Sequence, residues 1–118
     1  MDFALTDDQL AIQEMARRFA ADALAPQAAA WDEQKHFPVD VMKEAAGLGL
    51  AGIYAQDDIG GTGLGRLEAV LVFEALSEGC ISTAAFLSIH NMCTWMVDRF
   101  ASENLRATYG PGLTAMEL

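Results

Sequence analysis

His90 and Cys93 stand three residues apart, a spacing that puts two metal-capable side chains on one helix face. A zinc site asks for four ligands, and the only other histidine, His36, is remote in sequence. The pair is therefore read as a buried, hydrogen-bonded histidine and a small apolar thiol rather than a metal centre. Cys80 and Cys93 are the only cysteines and form no Cys-x-x-Cys pair, which argues against a disulfide framework. Glu74 is the second group with chemical potential. On a helix it shares an arc with Leu67, Val70 and Leu71, which turns a carboxylate inward, either as a tuned acid or base or as a group satisfied by a buried donor. No nucleophile or second acid accompanies it in sequence, which favours the structural role.

Two glycine clusters raise the question of phosphate binding. Gly47-Leu-Gly-Leu-Ala-Gly52 satisfies the spacing G-x-G-x-x-G, but that motif works after a strand and at the opening of a helix. Here the glycines follow a helix and lead into a short run, Ile53-Tyr-Ala55, expected to be extended. Gly60-Gly-Thr-Gly-Leu-Gly65 does precede a helix. Asp57 and Asp58 just before it would repel phosphate, and the Gly-Lys-Ser/Thr ending of a P-loop is absent. Turn geometry accounts for both clusters.

The elements that carry these groups are helical. Thr6 with Gln9 forms a capping box, supported by Asp7 and Asp8, and Leu10, Ile12, Met15, Phe19 and Ala23 then recur at helical spacing. Pro26 interrupts this helix, and a short second one is expected over residues 28–34. Pro38 suits the opening of a third, with Val41, Met42 and Ala45 inward and Gly47 as a left-handed cap. Residues 57–65 read as a glycine-rich loop, 66–78 as a helix, and Gly79 as a break. Ser102 caps a last helix that Gly110-Pro-Gly112 should end after Tyr109.

The run from Ile81 to Asp98 is the most apolar of these helices. Ile81, Ala84, Ala85, Phe86, Ile89, Met92, Cys93, Trp95, Met96 and Val97 cover more than half its circumference, so burial on most sides is expected. The polar remainder is a narrow stripe of His90, Asn91, Thr94 and Asp98, with Ser88 apart from it. No segment alternates apolar and polar residues, so the fold class is all-α, a bundle of about six helices.

Composition sets the outer bounds. With 118 residues and 53% hydrophobic side chains, the chain is one domain with material for a core. A net charge of -10 disfavours nucleic acid, whose phosphates call for clustered Lys and Arg. No apolar run reaches the ~18 residues that span a bilayer. The acidic opening shows neither a signal-peptide nor a transit-peptide pattern, so a cytoplasmic location is expected.

Several segments carry a resemblance: Ser82-Thr-Ala-Ala85 followed by Ser88-Ile-His-Asn-Met-Cys-Thr-Trp-Met96, Phe37-Pro-Val-Asp-Val-Met42, Gly47-Leu-Gly-Leu-Ala-Gly-Ile-Tyr54, Asp58-Ile-Gly-Gly-Thr-Gly-Leu64 and Phe73-Glu-Ala-Leu76. Together with Leu5-Thr-Asp-Asp-Gln-Leu10 and Trp31-Asp32, they resemble the N-terminal helical domain of flavin-dependent acyl-CoA dehydrogenases over essentially the whole chain. The Phe37 and His90 segments resemble the branch acting on short branched acyl-CoA. Ile59 departs from the family, which often has Tyr before the paired glycines, and bears on loop packing.

The resemblance implies α,β-dehydrogenation of an isobutyryl-CoA-like substrate in valine catabolism, with FAD as cofactor. It further implies an electron-transfer flavoprotein as oxidant and a homo-oligomer, a tetramer in the family. The family's catalytic Glu and most of its flavin site belong to a β domain and a second helical domain, outside residues 1–118. No catalytic, cofactor-binding or metal residue is therefore assigned here, and isolated activity is not expected. Phe86, Ile89 and Cys93 form a continuous strip on one side of their helix; the resemblance implies that they line the end of the acyl cavity, against the alternative of plain core. The competing functional reading is a non-catalytic helical interaction module derived from such an enzyme.

Overall fold

The computed structural model describes residues 2–118, which form six α-helices and no β-strand. Helix α1 (Asp7–Phe19) opens on the expected capping box: the Thr6 hydroxyl accepts from the Gln9 amide, and the Gln9 side chain accepts from the Thr6 amide. It runs into one π-helical turn, Ala20–Leu24, closed by the Ala25 amide donating to the Ala20 carbonyl at 2.8 Å. Helices α2 (Ala28–Gln34), α3 (Val39–Gly47), α4 (Arg66–Ser77), α5 (Ile81–Phe100) and α6 (Glu103–Thr114) follow.

Three local details depart from the sequence reading. The left-handed residue after α3 is Gly49, φ 86°, rather than Gly47. Residues 53–55 form turns rather than an extended run. Helix α6 passes through Gly110-Pro-Gly112 and ends at Thr114. Pro111 deletes one amide donor, but the turn beyond it is tied down: the Thr114 hydroxyl donates to the Ile59 carbonyl at 2.7 Å, and Gly110 lies so close to Ile59 that a Cβ there would stand 2.9 Å from its side chain.

Helix α1 packs chiefly on α4, α4 on α5, and α5 on α6. The core combines Phe19, Leu24, Met42, Leu50, Ile53, Val72, Leu76 and Leu87 with many alanines, among them Ala16, Ala20, Ala45, Ala69, Ala75 and Ala84, whose small side chains let helices approach closely. At the α4–α5 turn a Cβ on Gly79 would fall 2.6 Å from the Ala20 carbonyl. The result is a slab of 43 × 41 × 19 Å. Its thickness is about two helix diameters, so each helix keeps an outer face.

That geometry overturns the expected burial of α5 on most sides. The residues it buries are Thr83, Ala84, Leu87, Asn91, Thr94 and Asp98, which recur at helical spacing and include most of the polar stripe. The stripe faces inward because its partners are there. Asn91, 1% exposed, donates to the Leu50 and Leu87 carbonyls and accepts from the Ile53 amide at 2.7 Å. Asp98 accepts from the Gln56 amide at 3.0 Å, and the Thr94 hydroxyl donates to the His90 carbonyl. The loop from Leu50 to Gln56, which has no regular structure to satisfy its own backbone, is thus held by side chains of α5.

Helix α4 is corrected in the same sense. Its inward residues are Ala69, Leu71, Val72, Ala75 and Leu76, whereas Leu67, Val70 and Glu74 are exposed. Glu74 therefore lies in solvent, and its reading as a buried acid, base or structural carboxylate fails. The arc containing Leu67 and Val70 is an exposed apolar strip of α4 rather than part of the core.

Candidate functional site

With the polar stripe inward, the apolar circumference of α5 becomes the outer surface. Phe86, Ile89 and Cys93 lie together on it, as the strip predicted, with Phe86 38% and Ile89 57% exposed and Cys93 exposed as a free thiol. Ile81, Ala85, Met92, Met96 and Phe100 extend the same face. Met92 and Met96 were absent from the strip drawn from sequence, although their helical spacing from Ile89 and Cys93 was the available signal. Cys93, expected as a small apolar thiol on a helix buried on most sides, is exposed, since its face is the one the slab leaves open. His90 is half-buried, and its Nε2–H donates to the Leu113 carbonyl at 2.7 Å.

The face carries no carboxylate. It offers bulk and apolar surface. The clefts in the slab lie elsewhere: about 830 Å³ between α1 and α3, lined by Met15, Phe19, Val41 and Leu48, and about 240 Å³ between α2 and the start of α5, lined by Trp31, His36, Met42 and Cys80. Neither includes Phe86, Ile89 or Cys93.

One charged cluster braces the site from behind. The Arg106 guanidinium, buried on α6, donates to both Asp58 carboxylate oxygens at 2.5 and 2.6 Å and, through Nε, to Asp98 at 2.9 Å. These bonds raise the Arg106 pKa above its ordinary value, and the bond from Arg106 holds the Asp58 carboxyl below the usual carboxylate range. Asp58 is thereby spoken for as a loop anchor. Nearby, the Arg66 guanidinium sits 4.1 Å over the Tyr54 ring and 4.7 Å over Trp95, which joins the start of α4 to the loop and to the C-terminal part of α5.

Three of the glycines, Gly52, Gly60 and Gly61, sit against the protein's own chain, whereas a Cβ at Gly63 would meet nothing within 4 Å. A Cβ at Gly61 would collide with the backbone of Ala55, and Cβ atoms at Gly52 and Gly60 would meet Thr114 at 2.8 and 2.6 Å. These glycines are filled by the protein's own chain.

Residues 6–117 match the family described as acyl-CoA dehydrogenase, N-terminal domain. The chain belongs to the acyl-CoA dehydrogenase family. It is similar, at 50% identity over 113 residues, to the mitochondrial isobutyryl-CoA dehydrogenase of Bos taurus, an alignment covering 96% of this chain and 27% of that protein. Among solved structures it resembles the FAD complex of PigA, with 35% identity and a TM-score of 0.93 over 100% of this chain and 32% of the other. It also resembles the glutaryl-coenzyme A dehydrogenase glutaryl-CoA complex, with 29% identity and a TM-score of 0.94 over 99% and 31%. The chain thus spans roughly a quarter to a third of the length of these relatives. The all-α architecture agrees with its place as the family's N-terminal domain. No helix among the described residues is long and apolar enough to cross a membrane.

Proposed function

We propose that residues 1–118 are one α domain of a flavin-dependent acyl-CoA dehydrogenase that oxidises a short branched acyl-CoA of the isobutyryl-CoA kind, a step in valine breakdown. In this reading the outward face of α5 closes the acyl cavity against the remaining domains, which carry FAD and the catalytic base. An electron-transfer flavoprotein takes the electrons, and the assembly is a homo-oligomer. The observation that carries the reading is the orientation of α5: Asn91 and Asp98 turn inward to hold the domain's own loop, leaving Phe86, Ile89 and Cys93 outward as an apolar wall. Half-exposed apolar side chains in a row suit an acyl chain better than a polar ligand.

The test is Ile89→Ala in the full-length, flavin-loaded protein. Removing wall bulk should shift kcat/KM toward longer acyl-CoAs by roughly tenfold, since pocket contacts discriminate at ~1–3 kcal/mol per methylene. If the profile across acyl lengths keeps its shape while stability drops by the ~2–5 kcal/mol of a core truncation, Ile89 is packing alone. The wall assignment then fails.

A further inference from the structure

Phe86 does not stand free on the outward face. The edge of the Phe37 ring meets it at a centroid distance of 4.6 Å and an interplanar angle of 69°, and the His90 ring stacks on it at 6.4 Å and 24°. Both neighbours are tied to the fold, Phe37 through its backbone and His90 through its ring. Phe37 precedes Pro38, which confines its backbone to extended conformations. Its carbonyl accepts from the Val39 amide, and the His36 amide beside it donates to the Trp31 carbonyl, both at 2.9 Å. His90 is pinned by its Nε2–H bond to the Leu113 carbonyl on α6. An exposed helical phenylalanine ordinarily samples more than one staggered rotamer, and here two rings flank it.

We propose that Phe37 is a positioning residue for acyl-chain selection: with His90 it clamps the Phe86 ring and turns a mobile surface side chain into a fixed cavity wall. The proposal rests on the reading of Phe86 as part of the acyl wall. A fixed ring excludes a longer chain at the cost of displacing the clamp, whereas an unclamped ring swings aside. Selection by length then depends on a residue from the α2–α3 turn that itself need not touch substrate.

The experiment compares Phe37→Leu, Phe37→Tyr, Phe86→Leu and the Phe37→Leu/Phe86→Leu double variant in the full-length, flavin-loaded protein, with straight and branched acyl-CoAs of increasing length. Phe37→Leu should raise kcat/KM for the longer chains relative to the short branched one by about two- to tenfold, the range spanned by one edge-to-face aromatic pair. The change should appear mainly in KM, Phe37→Tyr should restore the original profile, and Phe37→Leu should add nothing once Phe86 is leucine. Where Phe37→Leu lowers the yield of folded protein, Phe37→Met serves in its place. If Phe86→Leu alters the length profile and the Phe37 variants do not, or if their effects simply add, the clamp is refuted while the wall stands. If Phe86→Leu itself leaves the profile unchanged in folded protein, the wall reading of Phe86 fails and the clamp with it.

Discussion

Asp58 shows how one residue ties the glycine-rich loop to the helices. Its carboxylate is more than half exposed, yet both oxygens are held by Arg106, which Asp98 binds from the other side. Because its folded pKa is lowered, the stabilisation is present above the unfolded value of about 4 and is lost as pH falls through the lower folded value. Arg106, raised further above an already high pKa, stays charged throughout and adds no pH dependence. Asp58→Asn should therefore flatten the acid limb of the melting-temperature profile. The variant should melt below wild type at pH 7, and the gap should narrow as pH falls below about 4. Parallel curves from pH 7 to 3 would show that the ion pair contributes nothing to folding.

Helix α5 turns a mixed stripe inward: Ala84 and Leu87 join the hydrocarbon core beside Thr83, Asn91, Thr94 and Asp98. The buried polar groups find partners, since no buried side-chain nitrogen or oxygen among the described residues is left unbonded. Asn91 makes the largest contribution. Replacing it with Leu strands the Ile53 amide and the Leu50 carbonyl in the interior, each at ~1–3 kcal/mol. Asn91→Leu should accordingly lower unfolding stability by about 3 kcal/mol, measured as a denaturant midpoint at matched protein concentration. A neutral result would mean that the loop 50–56 reorganises to satisfy itself. Ile89→Ala in the same assay on the isolated chain should be nearly silent, because Ile89 already faces solvent there.

At the scale of the molecule, a slab 19 Å thick leaves Leu67 and Val70 on α4 and Ile81, Ile89, Met92, Met96 and Phe100 on α5 between 46% and 74% exposed. Patches of this kind mark surfaces that another body covers. The isolated 118-residue chain should therefore self-associate at micromolar concentrations and purify without the yellow of bound flavin, read by light scattering and by absorbance near 450 nm. A monodisperse monomer carrying stoichiometric FAD would contradict both halves.

The sequence by itself determined what is local. The Thr6 capping box, the short helix after Pro26, the start of α3 behind Pro38, the start of α4 at Arg66 and the Ser102 cap all appear as read, because each depends on backbone groups within a few residues. Family membership was legible for the same reason, being carried by contiguous segments. Tertiary structure decided which way the helices face. Hydrophobic pattern alone turns Val70, Ile89 and Met92 inward, and it has no means of knowing that Asn91 bonds to Leu50 and Ile53, some forty positions earlier in the chain. Nor can a local rule carry α6 through Pro111, since the bond that secures its end reaches Ile59. Inwardness is a property of the assembled slab, set by where polar partners sit and how much apolar surface two layers of helices can cover.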